Sequence, residues 1–368
     1  MQHFSTGHKD LILAIDYNLY GNRMVTAGAD HLLKVWHHNE HTGEWSITDT
    51  WLAHDAEVTD VKWTYPFIGE HIGSVGEDGL LKIWQEDVNH AINSGRRFVR
   101  IFQMTTTTGV PFMSLDFKSI GSETYLAAIT RDGHITICEP QEHASLSEWK
   151  PMWSDRICTA PSRMDETSFR VSWHKEKLPA WPAVFADLDR KSIGLAVSVG
   201  DTVRVFRTDK DRRFYSAASL EGAKALIRDV SWANGSMRGF DTIATASKDG
   251  LVRIYELHSP GTAVAQPNST TGTQTVTMRP ARSGIGAGLA GSARGKRGDD
   301  DDTNAPGVVR QEAKMVAELD AHATPWRVAW SFAGDVLIST GDDAIVRMWK
   351  KSIDGKWLEA IEIDAGKA

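Results

Sequence analysis

Cysteine is scarce: the 368 residues contain two, Cys138 and Cys158. Two thiols cannot build a disulfide framework or a metal site. No cluster of metal ligands and no phosphate-binding loop stands out, and Gly286 and Gly288 lack the strand-to-helix context of a dinucleotide fingerprint. Long apolar runs are also missing. None approaches the ~20 residues of a membrane-spanning helix, and the opening MQHFSTGHKD has no apolar signal core. The expectation is a soluble protein on the cytosolic or nuclear side with no membrane insertion. Positive charge is not in excess: 41 Lys and Arg stand against 48 Asp and Glu, a net charge of −7. That balance argues against direct nucleic-acid binding.

A repeated phrase is present instead. Ile72-Gly73-Ser74-Val75 leads into a Gly-Glu-Asp-Gly turn, and Leu81-Lys82-Ile83-Trp84 runs back out. This is a β-hairpin pattern. Its returning strand follows a recipe of apolar, basic, apolar, aromatic. The recipe recurs as Leu33-Lys34-Val35-Trp36, Val203-Arg204-Val205-Phe206, Val252-Arg253-Ile254-Tyr255 and Val346-Arg347-Met348-Trp349. Arg131-Asp132-Gly133 into Ile135-Thr136-Ile137-Cys138 is a weaker copy, with Cys138 in the aromatic's place as a small buried apolar residue. Upstream of each hairpin lies a second alternating strand, ending in Tyr17, Trp63, Phe117, Trp173, Trp232 or Trp330. Alternation at period two marks strands with one buried face.

Repeats of roughly 40–45 residues with a His, an Asp and a closing Trp match the four-stranded blade of a β-propeller. The chain thus resembles the WD-repeat family. The fold expected is all-β: a single domain of six blades at about 8–52, 53–105, 108–158, 167–220, 225–319 and 320–363. Within blade four, 174–191 reads as a surface loop. Within blade five, 259–307 is rich in Ser, Thr, Gly, Ala and Pro and reads as a disordered insertion. Its RGKR cluster beside Asp299, Asp300, Asp301 and Asp302 reads as a solvated linker. Deleting 260–306 is expected to leave stability and binding nearly unchanged.

The resemblance implies hydrogen-bonded tetrads inside blades: His8, Thr26, Asp30 and Trp36; His54, Ser74, Asp78 and Trp84; His322, Ser339, Asp343 and Trp349. Buried His and Asp need such partners. A Ser, His and Asp together invite a catalytic reading, but the trio recurs where strands are held together. No catalytic residue, cofactor or metal is expected, and the chain does not read as an enzyme.

Many propellers close by pairing a strand from one terminus into the blade of the other. Residues 1–7 are too few for that, and Lys356-Trp357-Leu358-Glu359-Ala360-Ile361 already supplies blade six with a fourth strand. The ring is therefore expected to be open between blades one and six. An uncovered strand edge is a liability that an added strand from another chain would cover. The expected contact residues are Asp10, Leu11, Leu13 and Ile15 on blade one, with Trp326, Arg327 and Val328 on blade six.

Finer features narrow the resemblance. His8-Lys9-Asp10-Leu11-Ile12, Trp326-Arg327-Val328-Ala329-Trp330, Ser339-Thr340-Gly341-Asp342-Asp343, and Glu139-Pro140 followed by Ser145-Leu146-Ser147-Glu148-Trp149 look like the Seh-type scaffold nucleoporins of the Y-shaped nuclear pore complex. Their sister is the propeller subunit of the COPII coat. Departures occur: blade three lacks its tetrad His, Ser and Trp, and Val197 stands where blade four would carry a hydroxyl. The resemblance implies a structural subunit at the nuclear envelope. It implies binding to an α-solenoid scaffold nucleoporin that donates a blade in trans, and to other Y-complex subunits. It also implies a place in a vacuolar or lysosomal complex that regulates TOR signalling. The alternatives are the COPII cage subunit and a peptide-binding propeller adaptor.

Overall fold

The computed structural model describes residues 5–106, 109–142, 145–162, 164–235, 239–260 and 307–364. Of the 259–307 insertion, all but 259, 260 and 307 lies outside the described residues. Alternating strands and acidic-glycine turns fold into six four-stranded antiparallel sheets, each built from consecutive segments. Blade one holds β1 to β4 (Ile12–Tyr17, Arg23–Gly28, Leu32–His38, Trp45–Leu52) and blade two β5 to β8 (Val58–Trp63, His71–Gly76, Leu80–Glu86, Phe98–Thr105). Blade three holds β9 to β12 (Phe112–Ile120, Glu123–Thr130, His134–Pro140, Trp149–Arg156) and blade four β13 to β16 (Val171–Trp173, Gly194–Val199, Thr202–Thr208, Phe214–Leu220). Blade five holds β17 to β20 (Ile227–Trp232, Asp241–Ser247, Leu251–His258, Glu312–Asp320) and blade six β21 to β24 (Pro325–Trp330, Val336–Gly341, Ile345–Lys351, Trp357–Asp364). They form a β-propeller whose first and last sheets are not joined into a closed ring.

The recipe now has a physical account. Its two apolar residues point between blades and are fully buried in the first five. Its aromatic marks a fixed irregularity: pairing to the outer strand shifts at Val35/Trp36, Ile83/Trp84, Ile137/Cys138, Val205/Phe206, Ile254/Tyr255 and Met348/Trp349. A bulge there adds twist, as a radial blade needs. The turn before the recipe requires a left-handed residue. Gly79 (φ 75°) supplies it without strain, while blades one and six place His31 (φ 67°) and Ala344 (φ 56°) there.

The core consists of apolar layers between neighbouring blades. One layer joins Val25, Leu33 and Val35 of blade one to Val61, Trp63 and Ile72 of blade two, and others follow around the ring. The 174–191 stretch is not the plain surface loop expected. It holds a short helix, α1 (Trp181–Phe185), and buries Ala183 and Leu188 against Val309.

Near that stretch Lys118 is almost wholly buried and donates to the carbonyls of His174 and Glu176. Burial, with help from Lys175 and Arg207, pushes its ammonium down to about 7. The unfolded chain therefore holds the Lys118 proton up to its ordinary pKa of 10.5, and the fold only up to about 7. Across that window the unfolded state binds more protons, so stability rises with pH. Lys118→Met is expected to remove this rise. Denaturant titrations at pH 7 and 10 should show the variant gaining on the parent at pH 7 by on the order of a hundred-fold in the folding constant.

Candidate interaction seam

Each predicted tetrad comes together. In blade two, Trp84 Nε1 donates to Ser74 Oγ (2.9 Å), Ser74 lies 2.8 Å from His54 Nε2, and His54 Nδ1 lies 2.9 Å from Asp78. Blade one repeats this with Trp36 to Thr26 (3.1 Å), Thr26 to His8 (2.9 Å) and His8 to Asp30 (3.0 Å). Blade six repeats it with Trp349 to Ser339 (2.9 Å), Ser339 to His322 (2.9 Å) and His322 to Asp343 (2.8 Å). The basic residue of the recipe, given no role from sequence, ties the chain entering each of the first two blades: Lys34 Nζ donates to Thr6 O and Lys82 Nζ to Ala53 O, both at 2.8 Å.

This connectivity is that of a Ser-His-Asp relay, yet it cannot act on a substrate. Ser74 is fully buried and its oxygen already accepts the Trp84 indole. Burial pushes the His54 imidazole below its ordinary pKa, which keeps it neutral between its partners. Among the described residues no group of His, Cys, Asp or Glu could hold a metal ion, and no helix is long and apolar enough to cross a membrane. Burial raises the Cys138 thiol to about 11, as suits a packing residue.

Inner strands of neighbouring blades are stapled by one device. A side chain on one blade accepts a backbone N–H from the next. Asp16 takes Trp63 N–H (2.7 Å), Asp116 takes Trp173 N–H (2.8 Å) and Ser172 takes Trp232 N–H (3.0 Å). One position pair earlier, Asp60 takes Leu115 N–H (3.3 Å) and Asp229 takes Val328 N–H (3.0 Å). Blade six breaks the series, with Ala329 and Arg327 at those two positions. Arg327 is a donor, and it reaches Leu13 O of blade one at 2.8 Å.

The apolar layer fails at the same place. The first recipe position is fully buried in Leu33, Leu81, Ile135, Val203 and Val252, and the second in Val35, Ile83, Ile137, Val205 and Ile254. Their counterparts Val346 and Met348, with Ile338 beside Met348, are partly exposed. Across the gap the inner aromatic of blade one, Tyr17, is 53% exposed, against 5% or less for Trp63, Phe117, Trp173 and Trp232. A cavity of about 480 Å³ lies at the centre of the ring, lined from every blade, by Tyr17, Trp63, Phe117, Lys175, Trp232 and Trp330 among others, so it does not mark the seam.

Of the contact residues expected from sequence, Leu11 and Ile15 are exposed on blade one, and Leu13 and Arg327 meet across the gap. Asp10 is exposed and accepts the N–H of Leu11. Val328 belongs to the layer between blades five and six, so it does not face the seam. Trp326 lies under the Arg228 guanidinium of blade five, 3.5 Å from its ring centre, and donates to Asp342. The residues missed are Tyr17, Ile338, Val346, Met348 and Ile361. The signal was present for Ile338, Val346 and Met348: each sits at a repeat position that every other blade buries.

The WD domain, G-beta repeat family matches residues 1–37 and 313–350, which include the first and last tetrads. In those two stretches the chain is similar to the WD-repeat family. Its relatives extend the likeness to nearly the full length. Nucleoporin SEH1 of Saccharomyces cerevisiae is 28% identical over 359 residues, 97% of either chain. Nucleoporin seh1 of Schizosaccharomyces pombe is 26% identical over 94% of this chain and 91% of its own. Nucleoporin SEH1 of Homo sapiens is 27% identical over 95% of this chain and 84% of its own. All three carry the name nucleoporin, and the likeness to them agrees with the narrower resemblance of the sequence motifs.

Proposed function

We propose that the protein is a non-catalytic scaffold subunit of the nuclear pore complex at the nuclear envelope, and that an α-solenoid nucleoporin fills its seam with a donated blade. The observation that carries this reading is the pair of uncovered apolar faces. Val346, Met348 and Ile338 occupy positions that are dry wherever a next blade exists, and Tyr17 occupies one that is dry in blades two to five. A strand inserted from another chain covers such faces with main-chain pairing and alternate side chains. The nucleoporin relatives support the pore setting. Membership of the Y-complex and of a vacuolar TOR-regulating complex belongs to the same proposal and rests on the resemblance alone.

Tagged protein purified from its own cells in high salt tests it. An α-solenoid nucleoporin is expected to remain bound to the parent chain. Met348→Asp should abolish that recovery while costing less than ~1 kcal/mol of stability, because Met348 is already partly exposed in the free chain. Recovery of a COPII cage subunit instead would move the chain to the sister family. An empty purification would overturn the seam as a binding site.

A further inference from the structure

Three of the five staples around the ring, with the indole bonds that run the other way, point to one form for the inserted strand. We propose that it carries a side-chain acceptor, Asp, Asn or Ser, directly ahead of a tryptophan. The acceptor takes the Tyr17 N–H, and the indole donates to the carbonyl of Ala329. This rests on the reading that a strand from another chain fills the seam.

The first half follows from register. Tyr17 holds the place of Trp63, Trp173 and Trp232, whose N–H groups are taken by the residue before the inner aromatic of the preceding blade. Blade six offers Ala329 at that place, and a methyl group accepts nothing. Among the described residues Tyr17 N–H therefore lacks the side-chain staple of its counterparts. The second half runs the other way round the ring. Of the four inner tryptophans two donate back, Trp173 Nε1 to Asp116 O (3.0 Å) and Trp330 Nε1 to Ser231 O (3.0 Å), while Trp63 and Trp232 Nε1 meet no acceptor among the described residues. Ala329 O is the next carbonyl in that series, and blade one presents no indole to it, since its inner aromatic is Tyr17. An acceptor–tryptophan dipeptide serves both ends. The chain's own Ser172-Trp173 has this form and uses both groups, Ser172 forward to Trp232 N–H and Trp173 back to Asp116 O.

Arg327 adds a third requirement. Where Asp60 and Asp229 accept a backbone N–H, Arg327 donates, and in the free chain it is spent on Leu13 O. A strand entering between blades six and one separates that pair. Its backbone carbonyl, or a carboxylate two residues before the dipeptide's acceptor, then receives the guanidinium.

Photo-crosslinking side chains placed at Ala329 and at Ile15, in the tagged chain expressed in its own cells, sample both sides of the gap. The crosslinked segment is expected to contain Asp, Asn or Ser immediately before Trp. Changing that acceptor to Ala, or that Trp to Phe, in the captured chain should each weaken binding about five- to ten-fold by calorimetry, the loss expected of one hydrogen bond. Trp→Phe keeps the ring and removes only the donor. A foreign segment crosslinked from both positions but lacking the dipeptide, or binding equally well after both changes, overturns the inference and leaves the filled seam standing. Crosslinks confined to this chain overturn both.

Discussion

Trp84→Ala is expected to destabilise the protein by about 3–5 kcal/mol, the cost of truncating a large buried aromatic. Trp84 closes the recipe of blade two, and three separate contributions end there. Its ring packs edge-on to Trp51 at 5.6 Å, and Trp51 in turn stacks on Phe98 at 4.6 Å, so the layer between blades one and two loses its centre. Its indole N–H holds Ser74 in place for His54, and without it a fully buried hydroxyl loses its donor. The shift in pairing to the outer strand also falls at Ile83/Trp84, so the truncated side chain is the one at the bulge itself. Urea unfolding followed by tryptophan fluorescence and circular dichroism would measure the loss. Trp84→Phe separates the parts: it keeps most of the packing and drops the hydrogen bond. A near-neutral Trp84→Ala would mean that the tetrad is not a structural joint.

What could be read from the sequence was what is local to one blade. His54, Ser74, Asp78 and Trp84 come from adjacent strands joined by short turns, so spacing alone places them together. Reading failed where one blade meets another. Alternation shows that Val328 is buried but not which neighbour buries it, and Val328 was assigned to the seam although it packs on blade five. The fourth strand of blade three, Trp149–Arg156, escaped because Pro151 and three charged residues interrupt its alternation. The 174–191 stretch read as a surface loop because its buried residues, Ala183 and Leu188, are covered by Val309, far along the chain. The apolar faces of the seam were readable in principle. They needed the positions of six repeats to be compared one by one, and the exceptions in the last repeat to be read as an absent neighbour.

The joint between blades four and five shows the limit most clearly, and it carries the second large effect. Arg207 is fully buried and donates to Asp241 (2.6 Å) and to Gln311 (2.5 Å), which is 104 residues away in sequence. His174 lies 3.3 Å from the same carboxylate. Burial by itself would raise the Asp241 carboxyl, but His174 and Arg207 hold it down at about 2. The stabilisation from this carboxylate is therefore present above its ordinary pKa of 3.8 and lost as pH falls through about 2. Asp241→Asn keeps the shape and strands a buried guanidinium, so a loss of about 3–5 kcal/mol is expected. The charge, rather than the cavity, is the origin of that loss. The double variant Asp241→Asn with Arg207→Met should accordingly be more stable than Asp241→Asn alone, because removing both partners also removes the uncompensated charge. Urea titration of the parent and the three variants gives the coupling directly. If the double variant is no more stable than Asp241→Asn, the pair contributes by packing and the electrostatic account of this joint is wrong. If Asp241→Asn is mild but its loss grows at pH values where His174 takes up a proton, the carboxylate is held for the imidazole rather than for Arg207.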